Sequence, residues 1–329
     1  MKKVFLGILI SALLIYLSLK GADFQDVRTG LARINSGYIW SSLLLMTSMQ
    51  ALRAWRWGLI LRPLGQLGAM RVLAITSVGF LAITALPARL GELLRPYLVA
   101  KSSDISMSAA LGTVFVERFL DGVTVLAIAS LTTLFASLPP WLARAGFAFL
   151  LLNLALLVVI FCAVFRRPLL EGLIHYFIRR LPVPWSERLD QFFRHFLDGF
   201  QIIGDGSRLW RVLLLSCLIW LINGLAIYTL FQAFDSSLPL VAAFVLMIVL
   251  VVGIAIPTAP GFIGNWHFSC VLGLGLFGVA KTEALTFAIV YHFLAVGLTV
   301  VIGLLFLPYL QFSFADLWKA AKRQGTAAG

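Results

Sequence analysis

Residues Pro87 to Asp121 read PARLGELLRPYLVAKSSDISMSAALGTVFVERFLD. This stretch places six charged side chains inside or beside sequence that is otherwise almost wholly apolar: Arg89, Glu92, Arg95, Glu117, Arg118 and Asp121. A charge near the middle of a bilayer costs at least ~2.5 kcal/mol, so an ionisable residue there indicates a functional site by default. Since both signs are present, the stretch predicts a polar site that accepts a charged group. Alternatively, some of these residues lie at the membrane surface and the others form structural ion pairs.

The composition of the surrounding chain indicates that lipid is its solvent. Hydrophobic residues make up 61% of the 329 residues and charged residues 12%, whereas a soluble domain has about 25% charged residues. Several apolar runs reach the roughly 20 residues that a helix needs to cross the hydrocarbon core. The alternating pattern of a membrane barrel is absent, so we predict an all-α polytopic integral membrane protein.

The apolar runs fall into two kinds. Six are long enough to span a membrane, at residues 4–19, 38–60, 109–137, 145–165, 212–234 and 284–307. Two pairs of shorter runs are interrupted by Pro or Gly, at residues 72–86 with 90–99 and 240–256 with 268–279. Short interrupted segments are typical of re-entrant broken helices in transporters. If each broken pair crosses fully instead, the number of spans rises from six to ten and the termini stay on the same side.

The distribution of basic residues predicts the orientation. The second run ends in arginines without acidic partners, at Arg53, Arg56, Arg62 and Arg71, and such clusters are typical of cytoplasmic loops. Arg166 and Arg167 after the fourth run and the basic tail repeat the signal, so both termini are expected in the cytoplasm. The first run continues into Lys20 without a clear cleavage site, so we interpret it as an uncleaved span.

The order of the runs predicts one transmembrane domain, residues 1–329, built from an inverted repeat. Residues 1–137 contain two spans, a broken pair and a third span, and residues 144–308 contain the same order. The substrate site of such transporters lies near the midplane, where the broken helices of the two halves meet. Between them, residues 166–208 form either an amphipathic helix on the inner surface, with phenylalanines at helical spacing, or an ordinary cytosolic linker.

The charged residues of the first half suit an anionic ligand. Arg89 and Arg95 flank a predicted helix break, and two arginines can hold a phosphate by bidentate hydrogen bonds. Glu92 lies three residues from each arginine, so it can hold them in place or release them. Glu117 and Asp121 are one helical turn apart, and their repulsion means that either arginines bridge them or one is protonated.

The second break supplies further polar groups. Pro257, Pro260, Gly261 and Gly264 predict a non-helical bend between residues 257 and 267. Asn265 and His267 follow it and are available to bind substrate, although an ordinary interhelical turn is an equal alternative. His292 lies in an apolar run and is interpreted as a hydrogen-bonded packing residue.

Other classes of function find little support. The net charge of +12 is concentrated between apolar runs and lacks any nucleic-acid-binding motif. The three cysteines form no CxxC pair and no metal-binding cluster of His and Cys is present, so we expect neither a metal nor another cofactor. No nucleotide-binding loop or nucleophile motif occurs, and the protein is expected not to be an enzyme.

Two motifs together resemble a known family. Arg89-x-Gly91-Glu92-x-x-Arg95, followed by Glu117-Arg118-x-x-Asp121, resembles the membrane domain of lysylphosphatidylglycerol synthases and its stand-alone flippase-like relatives. Arg53-x-x-Arg56-Trp57 and Pro260-Gly261-x-x-Gly264 also match in order. The PGFIG segment at residues 260–264, together with His292, most resembles the hopanoid-associated branch. The family often has a glutamate where this chain has His267. We expect a stand-alone member, because the sequence ends soon after the sixth span.

The resemblance implies translocation of a lipid across the bacterial inner membrane. The substrate would be an anionic, polyprenyl-phosphate or hopanoid-type lipid, whose headgroup is attracted by Arg89, Arg95 and Arg118. The alternative is a non-transporting scaffold or partner of a lipid-modifying enzyme. A membrane-embedded enzyme is the third possibility, because Glu117, Asp121 and His267 can serve as acid and base.

Overall fold

The computed structural model describes residues 2–21, 23–86, 91–136, 139–180, 182–256 and 259–312. Within these ranges the chain forms thirteen α-helices and no β-strand, which confirms the all-α prediction. The first six are α1 (Lys2–Leu19), α2 (Phe24–Ala32), α3 (Ser36–Leu61), α4 (Ala69–Ala85), α5 (Leu94–Ser102) and α6 (Met107–Thr132). The other seven are α7 (Pro140–Phe165), α8 (Arg167–Ile178), α9 (Val183–Asp198), α10 (Gly206–Ala233), α11 (Leu240–Ala255), α12 (Asn265–Gly275) and α13 (Lys281–Phe306).

The helices begin where the sequence supplies capping groups. The side chain of Asn35 accepts a hydrogen bond from the Gly37 N–H before α3, and Ser106 accepts from Ala109 before α6. Asp205 accepts from the Arg208 N–H before α10, and this backbone hydrogen bond lowers the pKa of the Asp205 carboxyl. Each cap satisfies an N–H group that the helix itself leaves without a partner.

Within the described residues, three helices have the length and composition to cross a membrane, at Pro140–Phe165, Gly206–Ala233 and Lys281–Leu310, the last including a 3₁₀ turn after α13. The helices α3 and α6 also contain 26 residues each, which corresponds to roughly 39 Å at 1.5 Å per residue. The helices α3 and α6 are less apolar than the three helices above, because they carry charged residues of the site. The total of six spans stays a prediction.

Two series of four helices, α3 to α6 and α10 to α13, show the same pattern of long, short, short and long helices. The helices α3 to α6 contain 26, 17, 9 and 26 residues. The helices α10 to α13 contain 28, 16, 11 and 26 residues. The two long leading helices, α3 and α10, pack against each other, while α4 packs on α13 and α11 packs on α6. The second helix of each series therefore contacts the closing helix of the other series.

The apolar core is divided in the same way. One cluster of buried side chains comes from α3 to α6 together with the end of α9 and the start of α10, and includes Trp57, Ile75 and Phe200. The second comes mainly from α10 to α13 and includes Phe231 and Leu246. The charged residues of the first half lie beside the first cluster.

Between α7 and α10 the chain forms a hairpin of two amphipathic helices, α8 and α9. Arg167 joins them, with its Nε 2.8 Å from Glu171 Oε1 and its Nη1 3.0 Å from Asp198 Oδ1. The hydrogen bond to Glu171 raises the pKa of the Arg167 guanidinium. On α8 the apolar side chains of Leu169, Leu173 and Phe177 are exposed.

The end of α9 is fixed to α6. A Cβ on Gly112 would collide with the Phe196 carbonyl oxygen, and one on Gly199 would lie 2.5 Å from the Ala109 carbonyl oxygen. Phe115 packs edge-on against Phe196 and Phe200, with 5.8 Å between ring centroids in each pair. The two glycines therefore let the backbones of α6 and α9 touch.

Candidate functional site

The first-half site forms where α3, α5, α6 and α10 meet around two acidic residues. Glu117 and Asp121 lie one turn apart on α6, so their side chains share one face of the helix. Arg95 extends from α5, and its stem occupies the space that a side chain on Gly79 of α4 would need. Gly91 has the backbone of α4 at Ala82 and Ile83 where a Cβ would stand. This close approach positions the start of α5 and hence Arg95.

Arg56 bridges the two carboxylates from α3. Its Nη1 lies 2.6 Å from Asp121 Oδ1 and its Nη2 lies 2.8 Å from Glu117 Oε1. Nη1 also donates to Ser216 Oγ on α10 at 2.8 Å, and the side chain is 1% exposed. The sequence-based interpretation of Arg56 as a loop-flanking arginine without an acidic partner is therefore wrong. Of the two alternatives for the acidic pair, the structure contains the bridging arginine.

Arg95 is buried with part of its hydrogen-bonding capacity unused. Its Nη1 lies 2.8 Å from Glu117 Oε2, but the geometry is that of an ion pair without an aligned hydrogen bond. The guanidinium carbon stands 4.0 Å from the ring centroid of Trp57, whose indole N–H donates to Thr113. Nε and Nη2 of Arg95 have no hydrogen-bond partner among the described residues. Buried donors of this kind favour an additional acceptor.

Arg118 is the accessible member of the group. Its side chain is 45% exposed, and its nitrogens lie 3.8 Å from Glu117 Oε1 and 3.6 Å from Asp121 Oδ2. These separations are longer than those of a charge-assisted hydrogen bond, about 2.7–2.9 Å. Asp121 instead accepts from the Trp220 indole N–H of α10 at 3.1 Å. Arg118 therefore interacts with Glu117 and Asp121 through electrostatic attraction without a short hydrogen bond, and its guanidinium can bind another anion.

The charge of the described site is positive. Arg53 stands beside the cluster, 5.2 Å from the Phe80 ring centroid, and Glu92 lies half-buried in the turn before α5, within electrostatic range of Arg118. Four arginines therefore face three carboxylates, and the four are Arg53, Arg56, Arg95 and Arg118. Arg89 lies outside the described residues, as do Pro87 and Pro257. The excess of buried donors and positive charge suits an anionic group better than a cation.

The second-half residues form a separate cluster at the start of α12. Asn265 donates to the carbonyl oxygens of Gly253 and Ile256 at 3.2 and 3.3 Å, and its Oδ1 accepts from the Trp266 N–H. Its amide is therefore committed to joining the end of α11 to α12. The ring of His267 faces the ring of His292 on α13, with 4.8 Å between centroids.

Both clusters contact α4. The 3₁₀ turn Pro260–Phe262 packs against α4, and α4 contacts the arginine cluster through Gly79 and Phe80. Among the described residues, no hydrogen bond or ion pair joins Asn265 or His267 to the arginine cluster. Five predicted residues thus belong to one region, namely Glu92, Arg95, Glu117, Arg118 and Asp121, while Asn265 and His267 belong to another.

Sequence reasoning missed several partners of the site. Arg56 and Trp220 contact the acidic pair, Ser216 accepts a hydrogen bond from Arg56, and Trp57 packs on Arg95. The sequence did contain one indication that Arg56 is buried within a helix, since the apolar helix continues for five residues beyond it to Leu61. No group of three or more His, Cys, Asp or Glu within the described residues could hold a metal ion.

Comparison with known proteins places the chain in a family. The family model described as the lysylphosphatidylglycerol synthase TM region matches residues 4–323. A UPF0104 membrane protein of Methanothermobacter thermautotrophicus is 24% identical over 307 residues, which cover 88% of this chain and 90% of the relative. A second UPF0104 membrane protein of that organism is 27% identical over 281 residues, covering 80% of this chain and 81% of the relative. No solved structure matches the chain significantly. The chain is therefore a membrane protein that belongs to the family of the lysylphosphatidylglycerol synthase TM region.

Proposed function

We propose that the protein is a lipid transporter, a flippase that moves an anionic lipid across the bacterial inner membrane. The observation that carries the proposal is the buried arginine cluster, in which Arg95 keeps two nitrogens without hydrogen-bond partners among the described residues. A phosphate or similar headgroup can accept several hydrogen bonds from such a fork. The family membership supports a role connected with membrane lipids.

The arginines of the cluster have different roles in binding the headgroup. Arg56 is committed to Glu117 and Asp121 and keeps the acidic pair neutralised. Arg118 makes only long contacts to the same acids and is partly exposed. An arriving headgroup would replace Asp121 as the partner of Arg118 and then reach the unused donors of Arg95. The scaffold of the site would remain in place during this exchange.

The outside of the molecule suits the acyl chains. On α7 the side chains of Leu151, Leu154, Val158 and Phe161 are exposed, and this helix is long and apolar enough to cross a membrane. A lipid could therefore keep its chains in the bilayer while its headgroup enters the polar cluster. Among the lipid classes that the resemblance implies, the arginines favour those with a phosphate, including polyprenyl-phosphate lipids.

We further propose that six spans and an inverted repeat provide alternating access. The matched order of helix lengths in α3–α6 and α10–α13 supports a repeat, as do the reciprocal contacts of α4 with α13 and of α11 with α6. In transporters of this design, one repeat rocks against the other around a fixed site.

Transport in liposomes tests the proposal. The protein is reconstituted with labelled phosphatidylglycerol, and exposure of the headgroup is followed over time for wild type, Arg118→Gln and Arg95→Lys. We expect wild type to accelerate headgroup exchange and both variants to lose most of this activity. Arg118→Gln is the sharper variant, because its exposed side chain makes few contacts and its loss should leave folding intact. Arg144→Gln is the matched control, since Arg144 is exposed and donates only to the Pro140 carbonyl.

Two outcomes would contradict the proposal. Equal exchange by wild type, Arg118→Gln and Arg95→Lys would exclude the arginine cluster from the transport path. An absence of exchange by wild type, combined with stoichiometric co-purification of a lipid-modifying enzyme, would favour the alternative of a scaffold.

A further inference from the structure

Two imidazole rings meet at the start of α12, and neither belongs to the arginine cluster. His267 lies in the first turn of α12 and His292 lies along α13. Their ring centroids are 4.8 Å apart, with 45° between the ring planes. Nδ1 of His267 is buried and has no hydrogen-bond partner among the described residues. A buried ring nitrogen without a partner is rare enough in a folded protein to need an explanation.

His292 connects this pair to the second helix break. Its Nε2 lies 2.7 Å from the Gly261 carbonyl oxygen. Since a carbonyl oxygen only accepts, Nε2 of His292 carries the hydrogen, and its Nδ1 keeps a lone pair when the ring is neutral. Gly261 and Gly264 have φ angles of 72° and 97°, which glycine adopts more readily than residues with a side chain. The pair therefore contacts the irregular turn that separates α11 from α12.

Few charged groups surround the two rings. On α13 the neighbouring titratable group is Tyr291, which lies within electrostatic range of Arg53 on α3. Cys270 lies one turn further along α12. The sequence of α11 contains no titratable residue, and Arg71 is the one charged residue of α4. In α1, which packs on α12, Tyr16 is the one titratable group whose side chain is described. The carboxylates on elements that pack against α13 include Asp26 of α2, and α13 itself carries Glu283, nine residues from His292. Among the described residues, no hydrogen bond or ion pair joins either carboxylate to the two rings.

A proton on this pair would therefore be an uncompensated charge. The positive end of the α12 dipole lies in the same turn as His267 and disfavours an imidazolium there. Two imidazolium rings at this separation would also repel each other, so the pair suits one proton. Addition of that proton would favour either a rearranged Gly261–Gly264 turn or the approach of an anion.

The acidic pair of the first half does not offer the same chemistry. Arg56 contacts both Glu117 and Asp121 at short distance, and Arg95 pairs with Glu117. Both carboxylates thus have cationic partners that favour their charged form. Within the described part of the chain, the two histidines have no such charged partner, so the uptake of a proton by this pair would add a positive charge that no neighbouring group there neutralises.

We propose that His267 and His292 form a proton-binding site whose protonation is coupled to binding of the anionic headgroup. This inference rests on the proposed transport function. The proton and the anion compensate each other's charge, so each favours the binding of the other. The turn Pro260–Phe262, which packs on α4, and the contact of α4 with Arg95 provide a continuous path of packed residues between the two sites.

Proton uptake can be measured without transport. His175, which is exposed, and His195, which is half-buried, are replaced by Gln, so that His267 and His292 are the remaining histidines. Imidazole nitrogen signals are then recorded in lipid nanodiscs from about pH 4 to about pH 8, which covers the ordinary titration range of histidine and its lower tail. We expect one ring of the pair to take up a proton, and we expect His292→Gln to shift the midpoint of His267. Absence of proton uptake by either ring, or independent titration, would overturn the site.

Coupling is tested in liposomes with an imposed pH gradient. The measured quantity is the ratio of headgroup exchange rates with and without the gradient, so a change in the basal rate alone does not affect it. We expect the ratio to exceed one for wild type and for the His175→Gln/His195→Gln control, and to fall to one for His267→Gln and His292→Gln. His292→Gln keeps a donor for the Gly261 carbonyl, which protects the turn.

The possible failures are distinguishable. An unchanged ratio in both buried-histidine variants would overturn the coupling while leaving the transport function standing. Absence of exchange by wild type under every condition would contradict the transport function and the coupling with it. The proton-binding site would still be judged by the imidazole signals.

Discussion

Arg56 is the residue on which the charge balance of the buried cluster depends. It is the short-range partner of both Glu117 and Asp121, and it also binds Ser216. Removal of one partner from a buried ion pair leaves an uncompensated charge and typically costs about 3–5 kcal/mol. The function of Arg56 is therefore structural in the first place, and it differs from that of the accessible Arg118.

Replacement of Arg56 tests this assignment. We expect Arg56→Gln to lower the free energy of unfolding by about 3–5 kcal/mol, because Glu117 and Asp121 would lose their shared cation. The midpoint of thermal unfolding in detergent measures the effect. Arg144→Gln serves as control and should change stability by less than about 0.5 kcal/mol, as surface substitutions usually do. Similar midpoints for the two variants would show that another group neutralises the acids.

The sequence predicts which residues of the site are unusual, but it predicts their partners poorly. Glu117 and Asp121 stand out because they are charged within an apolar run. Their pairing with Arg56 joins positions 61 and 65 residues apart, and no local periodicity encodes such a distance. His292 appears as a lone packing residue in the sequence, because its neighbour His267 lies on another helix.

The packing of α9 on α6 depends on the absence of side chains. Gly199 and Gly112 allow a direct contact of the two backbones. We expect Gly199→Val to destabilise the protein by about 1–3 kcal/mol, the usual range for overpacking. The free energy of unfolding and the rate of protease cleavage within α8 and α9 measure the change.

Gly204 offers a matched control for this prediction. It lies in the next turn, and a Cβ added there would meet open space. Gly204→Ala should therefore keep both the stability and the protease resistance of the wild type. If Gly199→Val also kept them, the contact between α6 and α9 would have no energetic importance.

At the level of elements, helix positions follow from local signals. The predicted run 38–60 corresponds to α3 and the run 284–307 to α13, because caps, prolines and hydrophobic length are all local. The amphipathic segment also forms helices, but the sequence could not show that α9 packs on α6. That contact depends on Gly112, which is distant from Gly199 in the chain.

The orientation of the whole molecule is a prediction that labelling can test. In a background where Cys162, Cys217 and Cys270 are replaced by Ala, single cysteines are introduced as Ser237→Cys and Glu187→Cys. Both positions are exposed. The arginine distribution predicts that residue 187 lies in the cytoplasm and residue 237 on the opposite side. A membrane-impermeant thiol reagent added to intact cells should label position 237 alone. Labelling of both positions from the outside would contradict six spans with cytoplasmic termini.

At this scale the sequence predicts the class of the molecule and leaves its assembly open. Hydrophobic content predicts membrane helices directly. The placement of the two series depends on contacts such as that of α3 with α10, which arise from side-chain shape rather than hydropathy. The sequence placed Pro257–His267 opposite the arginine stretch. In the structure, α4 contacts the described parts of both regions.

The backbone contact between α6 and α9 makes the hairpin a reporter of the buried site. Because α6 carries Glu117 and Asp121, a displacement of this helix during turnover would be transmitted through Gly112 and Gly199 to α9. Trp185, near the start of α9, is exposed and distant in sequence from every ligand-binding residue. A fluorophore attached at that position would allow the working cycle to be observed in single molecules without disturbing the arginines.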